Sequence, residues 1–404
     1  MELWPFLALM TAVSVVVRFA PFVPERYRLA ASMLVLLAFL CWAPFALDGF
    51  RTFQLARVAT WVIVAMGLNI LTGYNGQISL GHGALVALGA YTAALLMDSG
   101  EQMGFIDSSP WPFWSAIIMA GIITAVAGFL LGIPALRLSG PYLAIATLAL
   151  AISFPSILHK YDAFTGGGQG VRISQPPPPP FLDGLIDRNQ WLFYLSLLIA
   201  LVMLLLAWSM LRGPLGRALV AVRDSEVAAS AMGINVARTK VAAFTISAFY
   251  AGVAGGVYTQ VLGTVTPESI DILQSINFLT AIVIGGLASI MGSILGAAAL
   301  IFLPSDAPDL VGNIPGLNTN IVEKTPGAIQ GAIVIFVILL MPYGVAGFLH
   351  RLARLRPASV LEWFRSRPAS LRAWAADVRQ DLADTWESRP WNRERFRGSG
   401  REER

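Results

Sequence analysis

Charged residues are scarce in this chain of 404 residues: they form 13% of it, whereas hydrophobic residues form 56%. A soluble domain carries roughly 25% charged residues, so a very hydrophobic soluble core is the weaker interpretation. Apolar runs recur from the N-terminus to about Gly347. Runs of about 17–25 apolar residues match the thickness of the bilayer core, and backbone groups in lipid must be paired within their own segment. We therefore predict an all-α polytopic membrane protein.

Cysteine and histidine are almost absent. Cys41 is the only cysteine, which excludes an intramolecular disulfide bond. The three histidines, His82, His159 and His350, are scattered along the sequence and form no pattern of metal ligands. No paired carboxylates or histidines stand together in an apolar run. An enzyme that works inside the membrane is therefore disfavoured, and no metal site is predicted.

Lysine is equally rare, and its positions exclude a phosphate-binding loop. That loop requires Gly-Lys-Ser/Thr, because its lysine reaches the phosphates from a glycine-rich turn. The three lysines are Lys160, Lys240 and Lys324, and none of them follows a glycine. We therefore expect this chain to hydrolyse no nucleotide and to bind no cofactor.

The apolar runs also contain few charges. Ion-coupled carriers and proton pumps usually place acidic or basic side chains at mid-membrane, where the cost of burial marks a function. Here the charges cluster at the ends of the runs, which weakens the interpretation as an ion-coupled carrier. Neutral polar groups lie inside instead, and most are expected to form hydrogen bonds between helices. They are Asn69, Gln77, Ser79, His82, Thr147, Thr245, Ser247, Gln274, Asn277 and Thr280.

The stretch from 270 to 303 is too long for one ordinary span. It is interrupted at Gly285-Gly286 and again near Met291-Gly292, where glycine weakens a helix. We predict a helix, a tight turn and a shorter helix that reaches about half-way across the membrane. The total is about 10–11 transmembrane or half-membrane helices. The apolar runs lie at about 4–17, 29–47, 55–71, 78–97, 113–136, 140–158, 191–211, 241–262, 270–286, 292–303 and 327–349.

Basic residues in short loops indicate which side of the membrane each loop occupies. Five of them lie between Arg212 and Lys240, and arginines also follow His350, so both stretches are predicted to be cytoplasmic. Two loops on one side must be separated by an even number of crossings, which supports the division of the 270–303 stretch. Counting the predicted crossings back from the loop at Arg212–Lys240 places the N-terminus outside.

We predict three regions: N-terminal membrane spans at 1–54, a main transmembrane domain at 55–349 and a basic, tryptophan-containing tail at 350–404. Arginine and tryptophan suit the membrane interface, and a solvated tail without contacts is an equal alternative. Five consecutive prolines, Pro176 to Pro180, make the external connection before residue 190 a stiff linker.

The cytoplasmic stretch contains a short run of helix formers from Glu226 to Met232, and Gly233 suits a left-handed stop after it. A short helix displayed between two spans is a natural docking element for a cytoplasmic partner. By physical reasoning alone, a plain connector is as good an interpretation.

Several further blocks of sequence stand before and after the cytoplasmic stretch in a fixed order. They are Gly73-Tyr74-Asn75-Gly76-Gln77-Ile78-Ser79-Leu80-Gly81-His82-Gly83 with Gly89-Ala90-Tyr91, then Arg137 to Leu148, Thr165 to Gly170, and Gly285 to Ala297. Together with the cytoplasmic stretch, these blocks resemble the permeases of ABC importers of the branched-chain amino-acid (Liv) type. The resemblance spans about Ala56 to Gly347 and is closest to the LivM-type subunit. The sequence departs from the family at Ala288 and Met291, where glycine and proline are commoner.

The resemblance implies an ABC-importer permease fold in the inner cell membrane, with the C-terminus in the cytoplasm. The implied partners are a second permease subunit, two ATP-binding subunits that use the ATP, an extracytoplasmic amino-acid-binding protein and membrane lipid, without nucleic acid. A permease for urea or short amides would share the same fold and stays open as an alternative.

The resemblance also implies roles for two sets of residues. The ATPase would dock on Arg223, Asp224, Glu226, Ala228, Ala229, Met232 and Gly233. The candidates for the substrate path are Asn69, Asn75, Gln77, Ser79, His82, Thr147, Gln274 and Asn277.

Overall fold

The computed structural model describes residues 37–97, 111–138, 140–180, 182, 184–312, 331, 335 and 344–347. The helices of this part are α1 (Leu37–Ala46), α2 (Gly49–Leu68), α3 (His82–Met97), α4 (Phe113–Ala135), α5 (Pro141–Lys160), α6 (Asp162–Thr165), α7 (Arg188–Arg212), α8 (Pro214–Asp224), α9 (Glu226–Ala231), α10 (Val236–Leu262), α11 (Ile272–Gly285) and α12 (Ile290–Gly312). A π-helix (Asn69–Tyr74) continues α2, and 3-10 turns cover Gly167–Gln169 and Pro267–Ile270. Two short strands, β1 (Val171–Arg172) and β2 (Thr264–Val265), pair antiparallel.

Six helical segments of the described part are long and apolar enough to cross a membrane. Shorter apolar helices stand at the predicted runs near residues 40, 90 and 300. The all-α polytopic fold is thereby confirmed. The run at 4–17, nearly all of the run at 327–349 and the tail at 350–404 lie outside the described residues. The predicted number of spans and the three predicted regions therefore stay predictions.

The centre of the bundle is formed by α2 and α10. α10 packs against α2, α3 and α4, whereas α2 also packs against α7 and α12. Glycines allow the closest approaches: a Cβ at Gly252 would meet the carbonyl of Ala120 in α4, and one at Gly89 in α3 would meet the backbone of Gly252. The three helices therefore pack backbone to backbone at this crossing.

The predicted break in the 270–303 stretch is confirmed. α11 ends at Gly285, Gly286 adopts φ +117°, and Ala288 adopts φ +56° before α12 begins at Ile290. α12 is 23 residues long and ends at Gly312, beyond the predicted end at residue 303. It is thus longer than the half-crossing helix that the glycines suggested.

Helix α3 begins later than its apolar run. The prediction of a helix from residue 78 was wrong for residues 78–81, because α3 begins at His82. The amide of Leu80 donates to Thr147 Oγ1 at 3.0 Å instead of to a carbonyl of its own segment. Apolar composition alone could not reveal this, since the partner lies on another helix.

Loops that were predicted to share a side of the membrane lie together. On the predicted external side, β1 pairs with β2, and the Gln190 side chain donates to the carbonyl of Pro44 at 2.8 Å. The Gln175 amide, next to the polyproline stretch, donates to the carbonyls of Gln260 and Val261 at 3.1 and 3.0 Å. These contacts hold the external connection against the outer end of α10.

Candidate functional site

The candidate site is centred on the segment between the π-helix and α3. Residues 75–81 form no helix, and Gly76 has φ +76°. The segment meets α5 at Thr147, the seventh residue of that helix, and it alternates between buried residues (Asn75, Gln77, Ser79) and exposed ones (Gly76, Ile78). Non-helical backbone within a membrane is tolerated only where protein or water encloses it. Interrupted helices of this kind form the substrate sites of many transporters.

Polar side chains of this segment are buried with unsatisfied hydrogen-bonding atoms. The amide nitrogen and oxygen of Asn75 and of Gln77 have no hydrogen-bond partner among the described residues. His82 is fully buried against the backbone of Val64, and neither ring nitrogen has a partner of good geometry within the described part. Ser79 is buried beside them. Leaving a buried polar group unpaired costs about 1–3 kcal/mol, so these atoms are suited to a polar solute or to water.

Thr147 anchors this segment to α5. Its Oγ1 accepts from the amide of Leu80 at 3.0 Å and donates to the carbonyl of Ala144 at 3.0 Å. A Cβ at Gly81 would collide with the carbonyl of Thr147, so only glycine fits this approach. α5 therefore forms one wall of the site.

Asn69 differs from Asn75 and Gln77 because its side-chain amide is fully hydrogen-bonded. Its Nδ2 donates to the Ser289 carbonyl and to Ser293 Oγ, each at 2.9 Å, and its Oδ1 accepts from the amide of Ala288 at 2.8 Å. Both amide hydrogens and the oxygen are therefore occupied. Asn69 joins the π-helix to the turn between α11 and α12.

Helix α11 meets the start of α3 through Ser275, which sequence reasoning missed. Ser275 is fully buried, and its Oγ accepts from the amide of Gly83 at 3.0 Å. The predicted residues Gln274 and Asn277 are half-buried on the same helix. The available signal was indirect: Ser275 lies between these two candidates, and Gly83 belongs to the early glycine-rich block. The structure thus places Asn75, Gln77, Ser79 and His82, all buried, along one stretch of chain that is anchored to Thr147 through Leu80.

The stretch that was predicted to be cytoplasmic contains the predicted short helix, α9. Ser225 caps it, since Ser225 Oγ accepts from the amide of Ala228 at 3.2 Å, and Gly233 follows with φ +81°. Val227 and Met232 are 80% and 82% exposed. Of the predicted docking residues, Asp224, Glu226, Ala228 and Met232 are exposed, whereas Ala229 is buried.

One salt bridge and one hydrogen bond from a charged side chain hold this stretch against the bundle. Glu226 of α9 forms a salt bridge of 2.6 Å with Lys240 of α10. Arg223 at the end of α8 donates from Nη1 to the carbonyl of Gly73 at 3.0 Å. A Cβ at Gly76 would lie 2.8 Å from Cγ of Arg223, so the arginine stem packs directly on this glycine. Arg223 therefore connects the cytoplasmic stretch to the beginning of the candidate site.

No group of three or more histidine, cysteine, aspartate or glutamate side chains lies together in the part of the chain that the structure describes. Buried acidic groups are also few there. Asp306 on α12 is one, and it pairs with Arg51 on α2 at 2.7 Å.

The chain resembles known transport proteins over most of its described length. Residues 51–340 match the family described as branched-chain amino acid transport system / permease component. The permease protein LivM of the high-affinity branched-chain amino acid transport system is 37% identical over 265 residues in Salmonella typhimurium and over 264 residues in Escherichia coli. The corresponding protein LivH of Salmonella typhimurium is 27% identical over 306 residues, which cover 72% of this chain and 92% of LivH. The chain spans about 60% of the length of the LivM relatives that it matches. No solved structure shows a significant match.

Proposed function

Because the chain belongs to the family of branched-chain amino acid transport permeases, we propose that it is one membrane-spanning subunit of an ABC importer. In this role it forms part of the path for branched-chain or related amino acids. The names of LivM and LivH, which describe high-affinity branched-chain amino acid transport, support this substrate class. The chain is a multi-pass membrane protein, and the proposal assigns ATP hydrolysis to a partner.

One observation carries the proposal: the exposed helix α9 is connected through Arg223 to an interrupted segment that contains buried polar side chains. A rigid-body displacement of α8 and α9 reaches the carbonyl of Gly73 through the Arg223 guanidinium. Gly73 lies directly before Asn75 and Gln77, whose amides have no partner among the described residues. A displacement of α8 and α9 is thereby transmitted to the polar groups that would contact the substrate.

The proposal includes partners on both sides of the membrane. One ATP-binding subunit docks on α9 and a second one docks on the partner permease, and an extracytoplasmic amino-acid-binding protein delivers the substrate to the opposite side. A second permease subunit completes the path next to α5. Only 17% of the most apolar stretch of α5 is buried within this chain, compared with 89% for α2 and its π-helical continuation. In this arrangement α9 and the tail after residue 350 are cytoplasmic, and the membrane is the inner cell membrane.

Two alternatives predict different behaviour. A permease for urea or short amides is favoured by Asn75 and Gln77, because their amides match an amide solute as well as an amino acid. An ion-coupled carrier would need an acidic side chain at the interrupted segment. The buried Asp306 does not meet this need, since it pairs with Arg51.

The test is uptake of labelled leucine into liposomes that contain this chain with its candidate partner subunits, with ATP inside the vesicle and the binding protein outside. Uptake is expected to require ATP, the ATP-binding subunit and the binding protein. Parallel assays use labelled urea and acetamide, and an imposed proton or sodium gradient replaces ATP in a further set.

Leucine uptake that persists without the ATP-binding subunit, or that follows an ion gradient, would contradict the ABC assignment. Uptake of urea or acetamide in place of leucine would retain the importer and replace its substrate class.

A further inference from the structure

A groove on the outside of the bundle, between α4 and α10, is separate from the candidate site. Its volume is about 500 Å³, and it is lined almost entirely by apolar groups, among them Phe129, Ile133 and Leu136 from the α4 side and Val241 and Ala242 from α10. Ligand pockets in proteins measure about 300–1,000 Å³, so the groove has room for a molecular fragment.

The groove follows from the way that α4 and α10 cross. The two helices pack closely at Gly128, where a Cβ would collide with that of Ala248. Nearer the end of α4, small residues of α10 such as Ala237 and Ala242 leave space beside Phe129 and Ile133.

The open side of the groove lies on an exposed apolar face of α4. Phe129 and Ile133 are 47% and 49% exposed. They continue an exposed apolar stripe along α4 that includes Ile118, Ile122 and Val126, spaced four residues apart. Such a stripe on a membrane helix is covered by lipid tails, so an acyl chain has direct access to the groove.

Two arginines stand at the mouth of the groove on the predicted cytoplasmic side. Arg238 lines the groove, and Arg137 directly follows the lining residue Leu136. Both are exposed, and among the described residues neither guanidinium forms a hydrogen bond or a salt bridge. The acidic residues of the neighbouring stretch are engaged elsewhere, since Asp224 pairs with Arg223 and Glu226 pairs with Lys240. The mouth therefore carries uncompensated positive charge.

We propose that this groove is a binding site for an anionic phospholipid, with one acyl chain between α4 and α10 and the phosphate group held by Arg238 and Arg137. An arginine fork matches the geometry of phosphate oxygens, and basic pockets between membrane helices on the cytoplasmic side suit anionic head groups. The lipid lies against the first turns of α10, which Lys240 ties to α9. Occupancy therefore stiffens the junction between the bundle and α9. This inference goes beyond the proposed function and does not depend on the transported substrate.

The test measures lipid retained by the purified complex of this chain with its partner subunits. After equilibration with equal amounts of phosphatidylglycerol and phosphatidylcholine, native mass spectrometry counts the lipids bound per copy. We expect preferential retention of phosphatidylglycerol. Arg238→Gln should lower it about five-fold, because one basic residue near the membrane surface contributes on the order of that factor. Ala242→Phe, which fills the groove, should lower retention of either lipid.

The matched control is Arg217→Gln, which removes one positive charge on the same side away from the groove lining and should leave retention unchanged. A phosphatidylglycerol with a photoreactive acyl chain should label the peptides around residues 129–136 or 237–246. Ala237→Phe replaces Ala242→Phe if the latter does not assemble with its partners.

Equal retention of the two lipids, equal effects of Arg217→Gln and Arg238→Gln, or labelling away from these peptides would overturn the proposal. So would crosslinking of a partner subunit into the groove, because a protein surface would then be its occupant.

Discussion

Arg223 makes two contacts of different strength. Its Nη1 donates to the Gly73 carbonyl at 3.0 Å, and its Nε and Nη2 donate to the carboxylate of Asp224 at 3.0 and 2.9 Å. The pair with Asp224 is exposed, and such pairs contribute about 0–1 kcal/mol. A charged donor on a partly buried carbonyl forms a stronger hydrogen bond. The contact with Gly73 is therefore the one on which coupling should depend.

We expect Arg223→Gln to lower leucine uptake about ten-fold per ATP hydrolysed, since a hydrogen bond to a charged group contributes about 1.5–3 kcal/mol. The ATP-binding subunit should stay bound, because Val227 and Met232 are unchanged. Uptake and ATP hydrolysis are measured on the same vesicles. The control is Arg217→Gln, which removes an exposed arginine of the same helix outside the predicted docking residues and should transport nearly as the unaltered chain does. A ten-fold loss in Arg217→Gln as well, or full coupling in Arg223→Gln, would contradict this role.

Individual contacts were the least predictable property. The sequence predicted that Asn69 and Thr147 lie inside the membrane, because they stand in apolar runs. It could not predict that Asn69 bonds to Ala288, Ser289 and Ser293. Those partners lie more than 200 residues away, and hydropathy carries no information on such pairings. Ser275 was missed for the same reason.

Helix α9 is the element whose form the sequence predicted most closely. Its helix formers and its stop at Gly233 are local signals, and the structure adds a cap at Ser225 that the sequence analysis did not predict. Its surface is less expected, because it exposes two large apolar side chains, Val227 and Met232. Exposed apolar groups of this kind are typical of a contact surface, which agrees with the proposed docking of a partner on α9.

We expect Met232→Asp to reduce co-purification of the ATP-binding subunit about ten-fold, as removal of a central apolar anchor does at protein interfaces. The measurement is the ratio of the two subunits after affinity purification. Leu185→Asp is the control, since Leu185 is 72% exposed on the predicted external side. An unchanged subunit ratio in Met232→Asp, together with full uptake, would remove α9 as the docking element.

The interruption before α3 shows where local signals end. The run at 78–97 reads as one helix by composition, yet its first residues pair with Thr147 instead. The break after Gly285 was predictable because two glycines stand there in sequence. The break at 78–81 has Gly76 and Gly81 as its only local signals, and the competing partner is a side chain on α5.

For the molecule as a whole, apolar length predicted the class of fold, because every long helix of the described part must meet the same bilayer thickness. Basic residues predicted which connections share a side, and the pairing of β1 with β2 joins two connections that were assigned to the same side. The grouping of the connections does not say which side of the membrane is cytoplasmic, and that orientation needs a test of its own.

That test uses the external connection between α5 and α7, which β1, β2 and Gln175 hold in place. Gly184 in this connection has open space around it, and exposed loop tips accept insertions. A short epitope inserted at Gly184 should leave uptake unchanged and be stained by antibody on cells whose outer membrane alone is permeabilised. The same epitope inserted at Gly233 should be stained only after the inner membrane is opened, and the reverse pattern would contradict the orientation.

The anchored connection also has a practical consequence. Because Ile173 and Gln175 are both hydrogen-bonded to the backbone around the end of α10, a fluorophore placed at the exposed Ser174 between them would keep a nearly fixed position relative to that end. Distance changes between it and a second dye on a delivery protein would then report arrival and departure during single transport cycles, without labels inside the path.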